Sequence, residues 1–139
     1  MTLAVDTSAA VALLMSSHTA HRAVRRRLRG QDLVLTQHSL AETYSVLTRL
    51  PGDARVAPAD AVRLIDGNFG PPALLSAAEA AAVPALLARH NIVGGAVYDG
   101  LVGLAAGAHD LALATRDVRA AATYDALGVA VVAILDGEP

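Results

Sequence analysis

Four acidic residues pose the chemical question in this chain. Asp6 ends the apolar run of "LAVDTS", Glu42 lies in "LAETYSVL", Asp99 in "GGAVYDGLVGLAA" and Asp117 in "LATRDVRAA". Two ionised carboxylates about 4 Å apart repel by roughly 4 kcal/mol at an effective dielectric of 20. Four of them in one place therefore call for a compensating charge, and a divalent cation supplies it. All-carboxylate sites completed by water suit Mg²⁺ or Mn²⁺, hard ions that bind phosphate oxygens and acidify water. The chemistry implied is phosphodiester hydrolysis.

Taken singly, three of these acids have structural alternatives. Asp6 can cap a helix beginning near Ser8, and Asp117 can cap the last helix. Ser39-Leu-Ala-Glu42 fits a capping box, in which Glu42 would reach back to its own helix start. Asp99 has no such use. It falls about one turn into a helix among Val97, Leu101, Val102, Leu104 and Ala105, apolar surroundings that predict near-complete burial, where an unpaired carboxylate holds its proton or costs several kcal/mol. Thr7, Ser8 and Thr115 place hydroxyls beside the acids, where they can orient them. Arg116 and Arg119 flank Asp117 and are placed to touch a phosphate.

The elements that must bring these residues together follow from hydropathy. Apolar runs of strand length alternate with helical periods, the pattern of a three-layer α/β/α domain with a mainly parallel central sheet of about five strands. Strands are expected at Leu3 to Asp6, Leu33 to Thr36, Ala73 to Leu75, Leu111 to Ala114 and Val129 to Ile134. Helices are expected at Ser8 to Met15, Thr19 to Arg29, Ser39 to Leu50, Ala59 to Asn68, Ala77 to His90, Ala96 to His109 and Val118 to Leu127, with a kink or restart at Pro84. In a parallel sheet the strands' carboxyl ends share one edge, and ligand sites form in the crevice outside it. Asp6 and Asp117 fall at that edge, and Glu42, in the first turn of its expected helix, points back toward it.

Composition narrows the options. At 139 residues, with 54% hydrophobic residues, one domain over residues 1–139 is expected. The absence of Cys removes disulfides, thiolate nucleophiles and thiolate zinc sites. No apolar run reaches the roughly 20 residues of a membrane span, and the start lacks the basic residues of a signal peptide, so a cytoplasmic protein without membrane attachment is expected.

All 11 basic residues are Arg. The lack of Lys disfavours haloacid-dehalogenase-like phosphatases and receiver domains, and no G-x-G-x-x-G follows the first strand. The histidines, His18, His21, His38, His90 and His109, form no HExxH pair; surface positions are expected for His18 and His21, while His38, one turn before Glu42, can approach the acids. Asp110 reads as a turn residue and Asp125 as solvent-facing. The "RRRLR" run, Arg25 to Arg29, reads as a solvated helix face or a phosphate contact.

These segments together, "AVDTSAAVALL", "LAETYSVLTRL", "GGAVYDGLVGLAA" and "LATRDVRAAATYDALGV", resemble the PIN-domain ribonucleases, and among them the VapC-type toxins of bacterial toxin-antitoxin pairs. The likeness runs nearly the full length. It implies an endoribonuclease in which acidic residues hold one or two Mg²⁺ or Mn²⁺ ions, with Asp6 and Asp99 as direct ligands, Glu42 as a ligand or a water-positioning base, and Asp117 supporting a second ion or the same one through water. It further implies a homodimer and a small antitoxin whose tail blocks the acidic groove, in a heterotetramer or larger assembly, with antitoxin docking a further use for Arg25 to Arg29. Two alternatives stand beside it: a catalytically inactive PIN-like binding module, and a housekeeping nuclease without an antitoxin.

Overall fold

A computed structural model describes residues 1–135. Four strands, β1 (Thr2–Val5), β2 (Asp32–Leu35), β3 (Leu113–Thr115) and β4 (Val131–Ala133), form one sheet in the order β2-β1-β3-β4. All pairs are parallel, with Leu3 opposite Leu33, Ala4 opposite Leu113, and Leu113 opposite Val131. Successive side chains of a strand point to opposite faces, and the core divides accordingly. Leu3, Val5, Leu35 and Ala114 pack into one cluster, while Ala4, Val34 and Leu113 pack into the other.

Helices cover both faces, which gives three layers. The first cluster is closed by α1 (Thr7–Leu14), α2 (His21–Leu28), α3 (Gln37–Thr48) and α4 (Pro58–Asn68) through Ala9, Val24, Leu47 and Ile65. The second is closed by α7 (Ala96–Ala108) and α8 (Val118–Ala126) through Val102, Ala106, Ala120 and Tyr124. Pro58 opens α4 in its first turn, where a missing N–H is harmless.

The long helix expected over residues 77–90 is two, α5 (Ala77–Ala81) and α6 (Val83–Arg89). Pro84 lies in the first turn of α6, so the restart falls where its ring clashes with no preceding carbonyl. Among the described residues no helix is long and apolar enough to cross a membrane.

The expected strand at Ala73 to Leu75 does not form. The segment instead runs along the outer edge of β2, where Gly70 N–H donates to Leu33 O (2.9 Å) and Ala73 N–H to Leu35 O (2.8 Å), with a single parallel bridge between Thr36 and Ala73. Pro71 and Pro72 supply no N–H donors, which limits the pairing to its ends.

A second correction concerns α3. Its N-cap is Thr36, and the reciprocal capping box joins Thr36 to Ser39: Thr36 N–H donates to Ser39 Oγ (2.9 Å) and Ser39 N–H to Thr36 Oγ1 (3.4 Å). Because Thr36 takes the cap, the helix starts two residues earlier than expected. Glu42 is thereby moved into the second turn and released from capping.

The strand order reverses direction beside β1, since the chain passes from β1 to β2 on one side and reaches β3 and β4 on the other. This switch point opens a crevice outside the carboxyl ends of β1 and β3. Close approach of α7 and α8 narrows it. A Cβ at Gly103 would lie 2.8 Å from Leu127 Cδ1 and 3.3 Å from Tyr124 Cδ1, so the bare glycine eases the approach of α8.

Candidate active site

Asp6 leaves β1 directly into the crevice and is also the N-cap of α1. The two readings of this residue are compatible, because one carboxylate oxygen serves the helix and the other faces the neighbouring helix. Its Oδ1 accepts from Ser8 Oγ (2.6 Å) and from Ala9 N–H (3.2 Å), and its Oδ2 accepts from the Tyr124 hydroxyl (2.8 Å). Only 4% of Asp6 is exposed. Burial pushes its pKa up, and bonds from Ser8, Thr115, Tyr124 and the Ala9 amide oppose that rise.

Ser8 ties this strand end to the next. With its proton given to Asp6, Ser8 Oγ accepts from Arg116 N–H (2.9 Å) and lies 3.3 Å from Thr115 Oγ1, which accepts from Asp117 N–H (3.0 Å). A continuous run of donors therefore leads from the start of α8 to the Asp6 carboxylate. Of the three hydroxyls singled out in the sequence, Ser8 and Thr115 take part. Thr7 Oγ1 does not: it is buried at the cavity wall and has no hydrogen-bond partner among the described residues.

Asp117 caps α8, with its Oδ1 accepting from Arg119 N–H (2.9 Å) and Ala120 N–H (3.3 Å). The flanking arginines contribute backbone amides here, with Arg116 half-buried and Arg119 exposed. Glu42, half-buried on α3, lies 3.4 Å from His38 Nε2.

Asp99 is half-buried, not enclosed as its apolar neighbours suggested, since Tyr98 beside it is exposed and Val97 and Leu101 are half-buried. Burial raises its pKa first, and Asp117, Asp6 and Glu42 raise it further by repulsion, against a smaller lowering by His38. The four acids thus share one electrostatic environment.

They also share one cavity of about 120 Å³, lined by Asp6, Glu42, Asp99 and Asp117 together with Thr7, Ser8, His38, Val102 and Tyr124. Among the described residues no three His, Asp or Glu side chains converge tightly enough to hold a metal ion directly. In this arrangement Asp6 is engaged by Ser8, Ala9 and Tyr124, Asp117 by its own helix, and Glu42 lies against His38. The donor set nonetheless suits a hard divalent ion. Its oxygens are carboxylates, three of which destabilise the charge on Asp99, and the partnerless Thr7 hydroxyl offers another oxygen at the wall.

Tyr124 is the participant that the acid pattern did not reveal. It is fully buried, and it follows Asp117 by two helical turns on the same face of α8, a spacing that was available as a signal. The Arg25 to Arg29 run lies elsewhere: Arg25, Arg26, Arg27 and Arg29 are exposed, and Arg25 and Arg29 border a separate hollow with Leu13, Leu28, Leu33 and Asn68. His18 and His21 are half-buried instead of surface-lying, because His18 Nδ1 accepts from Ala20 N–H (3.0 Å) and His21 Nδ1 lies 2.9 Å from Ala12 O.

The PIN domain family profile matches residues 3–126. The chain is 55% identical over 130 residues to a Mycobacterium tuberculosis protein named ribonuclease VapC27, covering 94% of this chain and 95% of that one. It is 44% identical over 131 residues to ribonuclease VapC40 of the same organism, covering 93% and 96%. Among solved structures, FitAB bound to an IR36 DNA fragment aligns with TM-score 0.67 at 21% identity, covering 96% of this chain and 94% of that one. The M. tuberculosis toxin VapC20, described as cleaving the sarcin-ricin loop, aligns with TM-score 0.65 at 22% identity, covering 86% and 93%.

Proposed function

Because the chain belongs to the PIN-domain family, and within it to the VapC-type ribonucleases, we propose that it is a toxin-type endoribonuclease that hydrolyses RNA phosphodiester bonds with Mg²⁺ or Mn²⁺. The observation that carries this reading is the meeting of Asp6, Glu42, Asp99 and Asp117, from four separate elements, in one cavity at the switch point of the sheet.

Asp6, Asp99, Glu42 and Asp117 would hold the cation. When bound, it supplies charge neutralisation at the phosphoryl oxygens and acidified water for attack. The remaining work falls to this chain's own side chains. Ser8, Ala9 N–H and Tyr124 fix Asp6 from two sides, so that its orientation costs little when substrate enters. Thr115 bonds Asp6 beside Ser8, and Asp117 N–H holds Thr115. Glu42, beside His38 and free of any capping duty, would serve as a ligand or as the base that accepts a proton from an attacking water. A small antitoxin protein that covers the acidic cavity is the partner this reading requires.

The test is incubation of the purified protein with total RNA, with 5′ ends of the products mapped by sequencing. Defined ends that appear with Mg²⁺ or Mn²⁺ and vanish in chelator support the proposal; unchanged RNA in every cation condition overturns it. Coexpression with any small reading frame found directly upstream of its gene tests the partner, with stable co-purification and restored growth expected.

A further inference from the structure

The rim of the acid cavity carries an aromatic pair that none of the cation chemistry uses. The ring of Tyr98, in the first turn of α7, stacks on the ring of His38 with centroids 5.5 Å apart and planes 23° apart. His38 lines the acid cavity, and it also lines a neighbouring apolar groove of about 430 Å³ walled by Ala41, Leu75, Val83, Leu101 and Ala105. It is the ridge between the two hollows.

Tyr98 is 58% exposed even with one face covered by His38. In a chain with three Tyr, one Phe and no Trp, that placement is informative, because an exposed aromatic ring costs solvation unless something covers it. Single-stranded RNA is recognised by stacking unpaired bases on such rings, and the interaction tolerates any base because each has a π-face. Asp99, the next residue along α7, lines the acid cavity, so a phosphate held at the acids has Tyr98 as the neighbouring exposed ring.

We propose that Tyr98, backed by His38, is a stacking platform for the base adjoining the scissile phosphate, received on the ring face that His38 leaves open. The inference rests on the ribonuclease reading above and deepens it. It makes Tyr98 a substrate-binding residue next to Asp99, with the ring and not the hydroxyl as the working part. It also accounts for the His38 position, since a ring wedged between Glu42 and Tyr98 keeps the platform fixed relative to the acids.

The experiment compares wild type with Tyr98→Phe, Tyr98→Leu and Tyr98→Ala, using a fluorescein-labelled 12-nucleotide single-stranded RNA that wild type cleaves. Companion oligonucleotides carry an abasic residue at each position around the cut. In wild type, one abasic position raises KM or Kd by about 5- to 150-fold, the worth of one stacked base. Tyr98→Ala and Tyr98→Leu show the same loss on intact RNA and no further loss on the abasic one, while Tyr98→Phe behaves as wild type. Cleavage that continues at wild-type KM in Tyr98→Ala overturns the platform and leaves the ribonuclease reading standing. Wild type that neither binds nor cuts any RNA overturns both. A change in molecular mass of Tyr98→Ala by light scattering without RNA, at unchanged KM, assigns the ring to a protein contact and overturns the platform as well.

Discussion

Replacing Tyr124 by Phe removes one oxygen and leaves the ring packed against α7. The hydroxyl is the donor to Asp6 Oδ2, at 2.8 Å in a buried setting, and a hydrogen bond to a charged group is worth about 1.5–3 kcal/mol. For a chain of 139 residues each kcal/mol moves Tm by roughly 3 °C, so Tyr124→Phe should melt about 5–10 °C lower near neutral pH. The loss depends on the charge of Asp6. Tyr124 holds the Asp6 pKa down against burial, so the Tm gap is full above the folded pKa of Asp6 and closes as pH falls through it. Cation affinity should drop about 10- to 100-fold, the usual cost of losing a residue that orients a ligand. Thermal melts by circular dichroism across pH, with Mn²⁺ calorimetry on both proteins, measure all three effects. A Tm within 1 °C of wild type together with unchanged Mn²⁺ affinity would refute the claim that this phenol positions Asp6.

Three further outcomes are expected. Asp6 and Asp99 both have folded pKa values raised above the ordinary 3.8, chiefly by burial, so the stability they contribute is fully present below that value and is lost as pH rises through their folded values. In chelator the Tm of wild type should therefore fall across that window relative to Asp99→Asn, and Mn²⁺ at about 100 times its Kd should restore about 2.7 kcal/mol, read as a rise in Tm. Gly103→Ala places a methyl 2.8 Å from Leu127 and 3.3 Å from Tyr124; overpacking of about 1–3 kcal/mol should lower Tm and weaken Mn²⁺ binding together, whereas the exposed Gly67, with open space at its Cβ, should accept Ala without loss of either. Ser8→Ala removes a donor to Asp6 and the acceptor for Arg116 N–H; unfolding by urea should show a loss of about 1–3 kcal/mol.

The alternation of strand and helix was legible because each strand is buried by its own apolar residues, and Leu3, Ala4 and Val5 are all in the core. Ala73 to Leu75 had the hydropathy of a strand, but its pairing is decided by the two prolines before it, and a pattern of apolar residues does not weigh missing donors. Ser39 and Glu42 matched a capping box in spacing; Thr36, three residues before Ser39, took the cap because the strand had already ended there. The acids were legible as a set because strand ends in a parallel sheet share an edge. Tyr124 was legible only as a residue two turns beyond Asp117, since its role depends on a phenol of α8 reaching Asp6 at the end of β1, a contact between segments distant in sequence. His38 was expected near the acids, but Tyr98 escaped for the same reason as Tyr124: its stacking on His38 joins α3 to α7, a contact between helices distant in sequence.

The central claim, that four carboxylates form a divalent-cation site which cuts RNA, is tested most directly by measuring RNA cleavage against Mn²⁺ concentration for wild type and Asp99→Asn, with Tm recorded on the same samples. Wild type should cleave in proportion to cation occupancy and stop in chelator, and Asp99→Asn should lose cleavage while melting no lower than wild type in chelator. Undiminished cleavage in excess chelator, or by the folded Asp99→Asn protein, would contradict the account.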